Sequence, residues 1–185
     1  MTHAVFKPKL LALLLAASGL LTACGGGSGS ASAIPTTNAV SSGTISGLGS
    51  IIVNGIRYET VGANVLDADD GSTAITTPLR IGMTVSVEQN GTDPITLRPI
   101  AGKILVQSGI HGIASYASNS LTVAGLPVTT DTSTILLDAN GVVTSLAALN
   151  NLNVEVYGLP QADGSFLATL IEAEVGPHAV QVVGT

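Results

Sequence analysis

The sequence has no tryptophan, only three tyrosines and two phenylalanines, and a single cysteine. Base-stacking platforms and sugar-binding floors are built from aromatic rings. Their scarcity argues strongly against nucleic-acid ligands and, less strongly, against saccharides. Positive charge is short as well. Of six Lys and Arg residues, Lys7 and Lys9 precede the long apolar run, which leaves Arg57, Arg80, Arg98 and Lys103 against twelve acids, a balance of minus eight from Cys24 onward. Such a surface repels phosphate backbones, whose binding rests on clustered Lys and Arg. The lone cysteine can make no disulfide within its own chain and cannot supply a multi-thiolate zinc site.

What is present first is an address. Behind Lys7 and Lys9 runs LLALLLAASGLL, Leu10 to Leu21, followed by small residues. A basic lead, a short apolar core and a small-residue exit describe a secretory signal. The run stops short of the roughly 17 to 25 apolar residues needed to span a bilayer. Leu21, Thr22, Ala23 and Cys24 are similar to the lipobox of bacterial lipoproteins, in which the cysteine is acylated and becomes the first mature residue. The resemblance implies lipidation, palmitate included, at Cys24, and Gly25 after it implies the outer membrane. Several acyl chains would make attachment effectively permanent. Residues 1–23 are therefore expected to be a lipoprotein signal peptide. Residues 24–42, GGGSGSASAIPTTNAVSS after the cysteine, are uncharged and dominated by small residues, and read as a flexible linker.

Two echoing stretches follow. Gly55 aligns with Gly125, Asp70-Gly71 with Asn140-Gly141, Val85 and Val87 with Val154 and Val156, and Ile104 with Val175. Four motifs in one order at nearly constant offset predict a duplication, with units at 43–106 and 107–185 and with Val53 superposed on Val123. Met83, Val85 and Val87 alternate with Thr84, Ser86 and Glu88, and Leu152, Val154 and Val156 alternate with Asn153, Glu155 and Tyr157. That period predicts half-buried strands. Asn54-Gly55 predicts a two-residue hairpin, Ala124-Gly125 a poorer one, and Pro127 an edge strand. Ile95 to Val106 reads as one long strand with a slip at Arg98-Pro99, and Val142 to Leu149 as the one short helix. Long curling strands and a helix before the fourth strand predict an all-β chain of two tandem small antiparallel OB-like β-barrels. Each unit is small enough to be marginal alone, so the two are expected to pack together.

The hairpin VNG at Val53 to Gly55, the strand GMTVSV at Gly82 to Val87 and the closing strand of each unit resemble a bacterial family of tandem OB-like domains, the uncharacterised domain-of-unknown-function family 5666. The resemblance runs from about Gly43 to Val175, departs at Asn151 where the first copy has Gly82, and implies a fold and envelope lipoproteins as its setting. It brings no catalytic residues.

The chemistry-bearing constellations are weak. Asp67, Asp69 and Asp70 in DADDG suggest calcium, but Gly71 takes the next alternate position, and no acid follows before Glu88. A turn explains them as well. His111 and His178 would need distant carboxylates to hold zinc, so His111 reads as a strand residue. Ser46 and Ser50 lack a strand-to-helix elbow, Gly47 and Gly49 lack the helix that would receive a phosphate, and Glu172 and Glu174 read as a solvated face. No catalytic residue, cofactor or firm metal site is expected. The expectation is a membrane-anchored envelope lipoprotein, non-enzymatic, that binds envelope proteins or has a structural role. Its partners would be the bilayer, through acylated Cys24, and envelope proteins, with no nucleic acid. The alternative is a small-molecule, oligosaccharide or calcium-binding lipoprotein.

Overall fold

The computed structural model describes residues 39–175 and the backbone of the strand at 181–182. The expected signal peptide, Cys24, most of the expected linker and His178 lie outside the described residues, and the linker expected to residue 42 gives way to strand from Val40.

Six strands make the first sheet: β1 (Val40–Gly47), β2 (Ile51–Val53), β3 (Ile56–Tyr58), β4 (Asn64–Asp67), β5 (Thr84–Thr92) and β6 (Pro99–Gln107), in the spatial order β3-β2-β1-β5-β6-β4. A second set follows: β7 (Ile110–Ala117), β8 (Ser120–Val123), β9 (Leu126–Thr129), β10 (Ile135–Leu137), β11 (Asn153–Pro160) and β12 (Phe166–Ala173). Each strand of the second set has the neighbours of the strand six before it. β7 lies between β8 and β11, and β11 pairs with β12. β12 receives both β9 and β10 in parallel, and the β9 pairing closes the sheet. In the first sheet the closure is a parallel bridge from Glu59 to Ile100. The chain is all-β in two barrel-like sheets, antiparallel except at these closures, at β4 on β6 and at β10 on β12. A last strand, β13 (Gln181–Val182), adds to β7 opposite His111 and Ile110.

The local reasons are those the sequence suggests, with several corrections. Asn54 and Gly55 both take positive φ, 51° and 77°, and join β2 to β3 tightly. Ala124 and Gly125 do the same at 50° and 82°, so the poorer turn residue keeps the same turn. Pro127 does not mark an edge, because β9 is paired on both sides. Its missing N–H falls before the pairing to β12, which begins at Val128. Asn151, at φ 64°, takes the left-handed conformation of Gly82, at 96°, so the departure in sequence leaves the backbone alike. Val142 is exposed, and the helix α1 covers only Leu146–Leu149, with Ser145 as its N-cap.

The long strand expected from Ile95 is a turn instead. The Asp93 carboxylate accepts the N–H groups of Ile95 and Thr96, which holds Ile95 and Leu97 out in solvent, 90% and 77% exposed, and β6 begins at Pro99. The sheet register also corrects one alignment. Val87 faces Ile104 and Val156 faces Ile171, so the partner of Ile104 in the second copy is Ile171 and not Val175.

Two apolar clusters form the interior. Val154, Val156, Phe166, Ala168 and Ile171 fill the second, together with Ile110 and Val123. The first holds Ile45, Val53, Met83, Val85, Val87 and Ile104, and also Leu137, Tyr157 and Leu170 from the second sheet. Strands β11 and β12 thus bury inward residues in their own barrel and outward ones against the other. Thr84 and Ser86 are buried along with Val85 and Val87, so β5 is covered on both faces, where alternation alone predicted one wet face. At the contact, the Thr169 hydroxyl donates to the Gly82 carbonyl at 2.6 Å. A Cβ on Gly82 would meet the Thr169 carbonyl and Leu170 at 2.8 Å, so only glycine fits.

Candidate functional site

The outer face of the second barrel, near its seam with the first, carries the one group of three His, Asp or Glu side chains whose ligand atoms lie close together among the described residues. Register puts them there. His111 on β7 stands opposite Glu155 on β11, and Glu155 stands opposite Glu172 on β12. Cross-strand partners share a face and lie roughly 5 Å apart, so the three form a row across three strands. Tyr157, two residues beyond Glu155, and Glu174, two beyond Glu172, fall on the same face because the strand period is two. The Glu174 N–H donates to the Asn153 carbonyl, which holds the end of β12 against β11.

His111 is the centre of the set. Its Nε2 lies 2.7 Å from Ser108 Oγ and 3.5 Å from Glu155 Oε1, and its Nδ1 lies 3.8 Å from Glu174 Oε1. Asn153 Nδ2 donates to the other Glu174 oxygen at 2.9 Å. One ligand atom from each of His111, Glu155 and Glu174 lies within 4.8 Å of the others. Glu172 is turned to Arg80 of the first barrel, at 3.2 Å.

Burial governs the charges. It raises the Glu155 carboxyl above its ordinary value. The Glu174 charge adds to the rise, while hydrogen bonding from Tyr157 and Ser108 and the attraction of His111 oppose it. Burial also raises Glu172, with Arg80 pulling the other way. Tyr157 is pushed far upward, first by burial and then by the adjacent Glu155. The expectation of a solvated face at Glu172 and Glu174 is therefore corrected. Their side chains are only 13% and 15% exposed, because a face that points away from its own barrel here meets other parts of the fold. The carboxylates that His111 needs come from neighbouring strands and not from distant loops. Alternation of Asn153, Glu155 and Tyr157 placed Glu155 on an outer face. Pairing that strand with His111 required the register.

The other sequence candidates have local duties. Asp67 Oδ1 accepts the N–H of Asp69 at 2.9 Å. Asp70 Oδ1 accepts the N–H groups of Ser72 and Thr73, each at 2.8 Å, and these bonds with the Thr73 hydroxyl lower its pKa to about 2. Asp138 caps the matching turn through Asn140 and Val142. Ser50 donates to Glu59 and Ser46 to the Ile52 carbonyl.

Beside the cluster is a cleft of about 430 Å³, lined by Thr84, Gln107, Ser108, Ile110, Leu159 and Phe166 among others. Ser108 thus touches both the cleft and His111. Thr84, 7% exposed, has a hydroxyl with no hydrogen-bond partner in the protein, which leaves a buried polar group for a ligand or water to satisfy. Gly109 sits against the Phe166 ring so closely that a Cβ there would overlap it.

No curated protein and no solved structure matches the chain. Residues 112–172, the span from β7 through most of β12, match the family model described as Domain of unknown function (DUF5666), so the likeness to that family rests on the second sheet.

Proposed function

We propose that the chain is a membrane-anchored envelope lipoprotein, held by acylated Cys24, whose β body is a non-enzymatic module that binds envelope proteins by strand addition. The observation that carries the binding role is β13 on β7. Gln181 and Val182 pair antiparallel with His111 and Ile110, beyond the stretch of β7 that β8 covers. That edge takes an extended segment, and strand addition gives affinity through main-chain hydrogen bonds. The anchor and the envelope location rest on the signal core and on Leu21 to Cys24. The test is photo-crosslinking in cells from a reactive side chain in place of Ile113, which is 54% exposed on β7. Removing Gln181 to Thr185 should free the edge and raise adduct formation with a defined envelope protein. Equal adducts with and without the tail would sink the strand-addition reading.

A second reading is favoured by the cleft. Its volume suits a small organic ligand, and the Thr84 hydroxyl with the Gln107 and Ser108 side chains would fix such a ligand's orientation. The scarcity of aromatic side chains counts against an oligosaccharide there.

A further inference from the structure

We infer that His111, Glu155 and Glu174 form a binding site for a divalent transition cation of the zinc class. The site stands on its own geometry and does not depend on the strand-addition reading. An imidazolium paired directly with a carboxylate closes to about 2.7–2.9 Å. Here Nδ1 of His111 stands 3.8 Å from Oε1 of Glu174, and one ligand atom from each of His111, Glu155 and Glu174 lies within 4.8 Å of the others. Two ligands bound about 2.1 Å from one tetrahedral ion stand roughly 3.4 Å apart. The observed spacing is closer to that of ligands around a shared centre.

Each ligand is also held from behind. Ser108 takes Nε2 of His111, which leaves Nδ1 as the coordinating atom. Asn153 holds Oε2 of Glu174, so that Oε1 faces the imidazole. Tyr157 hydrogen-bonds Glu155. Outer partners of this kind orient ligands and are a regular part of metal sites. His111 and Glu155 come from β7 and β11, locked by register, and Glu174 follows β12 directly with its N–H bonded to the Asn153 carbonyl, so the arrangement is rigid.

Charge points the same way. Glu155, Glu172 and Glu174 lie on one face with side chains 22%, 13% and 15% exposed, and Arg80 is committed to Glu172. Two half-buried carboxylates then share one imidazole, a deficit of positive charge that a dication would fill. One nitrogen and two carboxylate oxygens suit zinc, and equally manganese or iron(II), whereas calcium wants six to eight oxygens. Three protein ligands leave a fourth position for water or for a group reaching in from the cleft.

The test uses the full chain in detergent, stripped with chelator and then dialysed against zinc chloride. One zinc per chain by elemental analysis and a melting temperature raised by several degrees are expected, with calcium and magnesium chloride giving no rise. His111→Gln and Glu174→Gln should weaken zinc binding at least tenfold, and Asp69→Ala should leave it unchanged. Should His111→Gln fail to fold, wild-type protein gives a second readout. Zinc should protect His111, identified by mass spectrometry, from acylation by diethyl pyrocarbonate. No stoichiometric binding at submillimolar zinc, unchanged binding in His111→Gln, or no protection of His111 would each overturn the site.

Discussion

A half-buried carboxylate with acids for neighbours is a liability at neutral pH, and Glu155 is in that position. Its pKa is raised above 4.5 in the fold, as is that of Glu172. The folded state then holds protons that the unfolded chain has released, so stability falls as pH climbs from about 4.5 through the folded values. The turn aspartates act in the opposite sense. Asp70, at about 2, and Asp93, Asp131, Asp138 and Asp163, all below 3.8, contribute stability that is lost as pH drops beneath 3.8. Thermal melts in chelator should therefore peak in mildly acidic buffer. Glu155→Gln should flatten the decline above that peak and raise the melting temperature at pH 7. An identical pH profile in the variant would show that Glu155 is not the source. At this scale the sequence was a partial guide. Asp70-Gly71 and Asn140-Gly141 were legible as turns because their chemistry is local. Glu155 was not singled out, since its partners arrive from strands more than fifteen residues away in either direction.

Strand β12 belongs to two interiors at once. Its neighbours Leu170 and Ile171 are both fully buried, the first in the cluster around Met83 and the second in the cluster around Val154. Leu170→Ala should cost about 2–5 kcal/mol. It should also loosen amide protection in β5 as well as in β12, as hydrogen exchange would report. Protection lost in the second barrel alone would mean that the contact is superficial. Gly82→Ala tests the same seam from the other side and should cost about 2 kcal/mol or more, because the added methyl meets backbone and the backbone is left-handed. Elements with local signals were readable in the sequence, such as the Asn54-Gly55 hairpin and the valine alternation of β5 and β11. Ile95 to Arg98 was misread because a strand-like spacing of Ile95 and Leu97 coincided with an aspartate cap. The cap won, since its hydrogen bonds form without waiting for a partner strand.

For the molecule as a whole, the duplicated strand order was foreshadowed by repeated motifs, and the sharing of one core between two barrels was not. Periodicity says which residues leave a barrel's interior, but not whether water or another sheet receives them. The proposed anchor is a second feature at this scale. Cys24→Ala should abolish acylation and move the protein from the membrane to the soluble fraction, and full membrane retention of that variant would refute the lipid attachment. The shared core also has a consequence in time. Synthesis runs from the N-terminus, and β6 ends at Gln107 while Leu170, which completes the first cluster, comes 63 residues later. At about 5–20 residues per second that is a delay of roughly 3 to 13 s. Met83 and its neighbours lack their cover for that interval, during which a nascent chain is open to chaperones and proteases. The half of the fold that is made first stays unfinished until the other half is nearly complete.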